Sequence, residues 1–197
     1  MADRTVHYEA AFEELLRQRH LPYVAVDEAR RALFAGTSLK SFDFVVYSPS
    51  GPNLLVDVKG RCCRDREHVR GFDSWATEQD VDDLIAWQRV FGHGFISLFA
   101  FLYWIESPML PEPGMFEHRD RWYFGLGVPV TDYRDHMRRR SPRWGTVCLA
   151  AGDFRRLATP LDRWLSSGNE GKCSQVVAGN AGAAGRLCVS GPGDGPG

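Results

Sequence analysis

Apolar side chains first recur at helical spacing between residues 5 and 19, where Tyr8, Phe12, Leu15 and Leu16 share one face and Thr5 stands in a capping position. Glu9 and Glu13, four apart, share a neighbouring face. Residues 21–26 (LPYVAV) then read as a strand, and the polar run 27–40 as a connection with room for one helical turn. Two further runs, FDFVVY (42–47) and LLVDVKG (54–60), flank SPSGPN, whose proline, glycine and asparagine are turn formers, so a β-hairpin is predicted. A helix follows from about Ser74 to Phe91, with Val81, Leu84, Ile85 and Phe91 inward and Gly92 as its stop.

The longest apolar run, FISLFAFLYWI (95–105), suits a central strand buried on both faces. A proline-rich loop (107–120) separates it from a second half that reads as strand (121–130), helix (131–140), strand (144–150) and a closing helix (153–165) that Pro160 kinks or splits. From Ser166 onward the chain is rich in Gly, Ala and Ser with almost no large apolar residues, and disorder is expected. The pattern predicts an α/β fold: one domain over residues 1–165, with a core at 5–105, an extension at 106–165 and a tail at 166–197.

With 197 residues, 44% of them hydrophobic, the chain can bury one substantial core. A net charge of −1 announces no nucleic-acid or anionic-membrane partner, so any such partner must meet a local patch. The amino terminus carries scattered charges and no secretory pattern, and the run 95–105 is too short to cross a bilayer as a helix. A cytoplasmic protein with no membrane partner is the expectation. Cysteines 62, 63, 148, 173 and 188 show no spacing for a zinc cage, which suits free thiols. Among 24 lysines and arginines the lysines are only Lys40, Lys59 and Lys172, so a lysine inside a strand stands out. Its ammonium shifts pKa when buried, as a guanidinium does not.

Side-chain alternation places Asp43, Val45 and Tyr47 on one face of the first hairpin strand and Leu55, Asp57 and Lys59 on one face of the second. A register pairing Val45 with Asp57 sets Asp43 opposite Lys59 and diagonal to Asp57. Charges gathered this way inside a sheet cost several kcal/mol unless paired. A divalent cation resolves the conflict: Mg²⁺ (or Mn²⁺) takes oxygen ligands, which Asp43, Asp57 and the Val58 carbonyl could supply, with Lys59 holding a water aimed at a phosphodiester. Arg61, Arg64, Arg66 and Arg70 follow directly, and Arg138, Arg139 and Arg140 lie among aromatics; such clusters suit a phosphate backbone.

The series helical Glu9, then Asp43, then Asp57-Val58-Lys59, then Gln79 resembles the PD-(D/E)xK nuclease superfamily. Within it, the helix end LLRQRHLPYVAV, the aspartate before the D-x-K strand and TEQDVDDLIAWQRVFGHG are similar to archaeal Holliday-junction resolvases. The resemblance spans about residues 5–105, and HYEAAFE (7–13) also matches the pattern of the HYExAFE family. It implies a restriction-endonuclease-like mixed β-sheet flanked by helices and Mg²⁺-dependent cleavage of nucleic acid, DNA by first preference. Catalytic roles fall to Lys59, Glu9 and Gln79, and metal roles to Asp43, Asp57 and Val58. Phe42 stands where the superfamily label has proline. Many resolvase-like enzymes act as dimers, so a homodimer is among the expectations, although no residue signals one. Two other classes fit the same residues: a nucleic-acid-binding protein that keeps the fold without turnover, and a protein-interaction module using the arginine-rich second half.

Overall fold

The amino-terminal helix forms as α1, Arg4–Gln18, and buries Tyr8, Ala11, Phe12, Leu15 and Leu16. A computed structural model of the chain describes residues 4–26, 32–34, 37–63, 73–106 and 113–166. Thr5 lies inside α1, not at its cap. The strand β1, Tyr23–Ala25, follows; beyond it the described residues form a two-stranded ladder, β2 (Ala32–Phe34) with β3 (Thr37–Leu39), where a helical turn was allowed for. The predicted hairpin is β4 (Phe44–Val46) and β5 (Asn53–Cys63), antiparallel as expected, with β5 running three residues further than its apolar pattern.

Residues Ala76–Thr77 form the short strand β6 and lead into α2, Glu78–Phe91. Thr77 caps α2 reciprocally with Asp80: each side chain accepts the other's backbone N–H, which satisfies two amides that a helix start leaves without partners. Gly92, at φ +76°, ends the helix as predicted. Val81, Leu84 and Ile85 are buried, whereas Phe91 is 36% exposed and lies at the margin of the core.

The central strand is β7, Phe95–Ile105, parallel to β5 through the α2 crossover. On its other side runs β9, Arg121–Pro129, which also pairs with β8, Met115–His118; four residues of the predicted proline-rich loop are therefore strand. Helix α3, Val130–His136, is shorter than the predicted 131–140, because Arg138–Ser141 leave it to form β10. After a 3₁₀ turn at Pro142–Trp144 comes β11, Thr146–Cys148, which pairs with both β10 and β6. Pro160 splits the closing helix into α4 (Ala151–Leu157) and α5 (Leu161–Trp164), with β12 (Thr159–Pro160) between them. The tail from residue 167 lies outside the described residues.

The main sheet has the order β1-β4-β5-β7-β9-β12 and is mixed, so the α/β architecture with helices on both faces is as expected. Alternation divides its core. Leu54, Val56 and Val58 of β5 with Leu98, Ala100 and Leu102 of β7 pack on α1. Leu55 with Phe99, Phe101 and Tyr103 packs on Val81, Leu84 and Ile85 of α2 and on Tyr133 of α3. Each such large side chain, fully buried, contributes roughly 2 kcal/mol. Asp57 and Lys59 continue the face of Leu55 and so point toward the amino end of α2.

Candidate active site

The chemistry gathers where β4 stops and β5 continues. The observed register pairs Phe44 with Val56 and Val45 with Leu55, two residues away from the pairing expected, so Asp43 stands across from Asp57 and not from Lys59. Slippage by two residues keeps every side chain on its face, so the hydrophobic pattern cannot choose between the two registers. Backbone pairing persists one step beyond β4, with the Asp43 N–H donating to the Val56 carbonyl at 3.0 Å. There the Asp43 side chain takes over: its Oδ2 accepts the Val58 N–H at 2.5 Å. The Val58 carbonyl points to the same edge of β5, as the two groups of one strand residue do.

Lys59 Nζ bridges two buried carboxylates, Asp57 Oδ2 at 2.7 Å and Asp80 Oδ2 at 3.0 Å. Asp80 Oδ1 in turn holds Lys40 Nζ at 2.8 Å, and the Lys40 N–H donates to Asp83 Oδ2 at 3.1 Å. The four side chains form a continuous chain of alternating charge, Asp57, Lys59, Asp80, Lys40. Burial pulls the Lys59 ammonium down, but Asp57 and Asp80 outweigh it and hold the group above its ordinary value. Burial would likewise raise Asp80, yet Lys59 and Lys40 keep it well below the usual carboxylate range. Asp57 moves the other way: burial pushes it up, and Lys59, with a smaller contribution from Lys40, offsets this only in part. Asp80 shares two lysines and the Thr77 amide, which explains why the two carboxylates diverge.

This chain lines a cleft of about 310 Å³, walled by Glu9 and Tyr8 of α1 on one side and by Arg61 and Trp75 on the other. Gly60 permits the close approach of α1, since a Cβ there would collide with the Tyr8 ring. Glu9 also borders a second cleft of about 200 Å³ with Asp43 and Glu13, so it separates the two aspartates' openings. Arg61 is spent on structure: it lies 4.1 Å over the Trp75 ring and donates to the Gly60 and Trp75 carbonyls.

Of the residues singled out in the sequence, the fold brings Glu9, Asp57, Val58, Lys59 and Arg61 to one cleft, with Asp43 at its back through the Val58 amide. Gln79 is exposed on the first turn of α2 and does not line the cleft; its neighbour Asp80 does. Arg64, Arg66 and Arg70 lie outside the described residues. Arg138, Arg139 and Arg140 are exposed on β10, a strand where a helix was expected. Sequence reasoning missed Asp80, Lys40 and Trp75. The signal for Asp80 was present in T-E-Q-D, whose threonine and aspartate three apart mark a cap.

In donor type Asp43, Asp57, Glu9 and the Val58 carbonyl are the hard oxygens that Mg²⁺ prefers. Among the described residues, no three of the His, Cys, Asp and Glu side chains stand close enough together to hold an ion as placed, and Asp57 instead meets the Lys59 ammonium. Cys62, Cys63 and Cys148 form no disulfide among the described residues. Among the described residues no helix is long and apolar enough to cross a membrane.

No family model and no curated protein matches the chain. Among solved structures it is similar to a Holliday junction resolvase of Archaeoglobus fulgidus, an archaeal hyperthermophile, at a TM-score of 0.47 and 13% identity over 83% of this chain and 96% of that one.

Proposed function

We propose that the protein is a Mg²⁺-dependent endonuclease of the PD-(D/E)xK type with a restriction-endonuclease-like fold, hydrolysing phosphodiester bonds in nucleic acid, DNA by first preference. One observation carries the reading. Asp57 and Lys59 leave the buried part of β5 side by side at a cleft that Glu9 also lines, with the Asp43 carboxylate fixed behind them on the Val58 amide. The narrower assignment to HYExAFE proteins rests on residues 7–13 alone.

Asp43, Asp57 and the Val58 carbonyl would hold the ion, with Glu9 alongside. Such an ion supplies polarisation of a phosphoryl oxygen and acidification of a water. Asp57 suits it because its buried charge is only partly compensated by protein. Lys59, held charged by its two carboxylates, serves as a hydrogen-bond donor and fixed positive charge at neutral pH and not as a general base. Its part is to orient the attacking water and to offset charge developing on the phosphate. Asp80 fixes the ammonium in place, and Lys40, whose side chain is 43% exposed, offers a second cation at the cleft mouth.

The test is cleavage of labelled duplex, branched and single-stranded DNA and of RNA with Mg²⁺ or Mn²⁺. Metal-dependent cutting that Asp57→Ala and Lys59→Ala both abolish is the expected result; cutting that survives either substitution sinks the mechanism. A second reading has its own support, since Lys59 and Lys40 already pair with the two buried aspartates without any metal. A nucleic-acid binder without turnover would bind equally well after Asp57→Ala and would show no metal uptake by calorimetry.

A further inference from the structure

Beyond the cleft, the small sheet β10-β11-β6 joins α2 through its edge strand β6, and β11 pairs β6 on one side and β10 on the other, so β10 is tied to the candidate site across one strand. Arg138, Arg139 and Arg140 are exposed in succession along β10, and Arg143 and Trp144 follow in the next turn. Arg139 meets Glu78 at 3.3 Å and Arg140 approaches Asp73 at 3.9 Å, whereas Arg138 and Arg143 make no ion pair among the described residues. Trp144 is 70% exposed, more than any other large apolar side chain described, and Arg143 lies 5.3 Å over its ring. Arg140 lies 5.5 Å over Trp75, the indole that walls the cleft, and Trp75 carries Arg61 of the cleft 4.1 Å from its ring. The strand thus joins the exposed turn at Trp144 to the wall of the cleft at Trp75.

We propose that β10 and the turn after it form a docking strip for an unpaired nucleic-acid strand that leads into the cleft past Trp75. This rests on the nucleic-acid reading of the cleft and adds the kind of strand it receives. The charge matches phosphates, and the β10 edge also presents backbone donors. Trp144 decides between strand types. An indole this exposed offers stacking to bases that are unstacked, whereas duplex bases are already stacked on one another. Arginines on an edge strand also serve to keep other chains from pairing with it. A purely protective strip would not need an exposed tryptophan, and it would not discriminate between nucleic acids.

The experiment measures anisotropy of a labelled oligothymidylate of about 12 nucleotides, an oligouridylate and a blunt duplex of equal length, with metal chelated so that binding is read without cleavage. Trp144→Ala should weaken single-strand binding roughly tenfold and leave the duplex unchanged, with Trp144→Phe close to wild type. Arg138→Ala should lower the salt dependence of single-strand binding by about one phosphate contact. The oligothymidylate and oligouridylate arms separate DNA from RNA. No binding of any oligonucleotide, no effect of Trp144→Ala, or an equal loss on the duplex would overturn the proposal and leave the arginines as edge protection. A protein that binds as predicted but never cuts keeps the docking strip and loses the nuclease. One that cuts duplex and is indifferent to Trp144→Ala does the reverse.

Discussion

Asp80 is the residue on which the site's geometry depends. It caps α2, clamps Lys59 and holds Lys40, so Asp80→Ala removes a cap and leaves two ammoniums short of a partner. At neutral pH the expected cost is about 3 kcal/mol in urea denaturation. Because the folded Asp80 is depressed, its contribution is fully present above the ordinary value of 3.8 and is lost as pH falls through the folded value. The gap between wild type and variant should therefore narrow in acid; a gap independent of pH would mean that only the cap matters. Asp57 moves the other way, raised by burial. Under the proposed mechanism cleavage needs its carboxylate, so Asp57→Asn should lack nuclease activity at every pH tested. D-x-K was legible in the sequence because two charges on one strand face demand a reason. Asp80 was not, since an acidic residue in a helix's first turn has an ordinary explanation and its partners come from residues about 20 and 40 positions away.

Among elements, the β8–β9 hairpin carries measurable backbone strain. Its two turn residues, Arg119 and Asp120, have φ of +50° and +58°, the left-handed region that two-residue hairpins favour and that glycine occupies without a Cβ penalty. Asp120→Gly should stabilise the protein by about 0.5 kcal/mol, read as a rise in Tm of about 2 °C. Gly60→Ala should do the opposite by driving a methyl group into the Tyr8 ring, costing about 2 kcal/mol and loosening α1 from the sheet. Periodicity found α1, β5, β7 and β9 because each carries a long, regular apolar set. It failed at β10, where three arginines continue a helical pattern and only pairing with β11 makes them a strand. Local preference yielded there to a partner that the sequence does not reveal.

Across the whole molecule, β5 is eleven residues long and its antiparallel neighbour β4 only three, so among the described residues most of one edge of β5 has no neighbouring strand. That overhang is what makes room for the cleft. An open ladder edge also invites pairing with another chain. Here the first amide beyond the last paired residue is already taken, by the Asp43 carboxylate in the position a strand carbonyl would occupy. Asp43 thus acts as a stopper against sheet extension, whatever its part in chemistry. Removing it strands a buried amide and uncovers the ladder, so Asp43→Ala should form soluble aggregates on concentration, visible by light scattering, where Asp43→Asn, which keeps an acceptor oxygen, stays monodisperse.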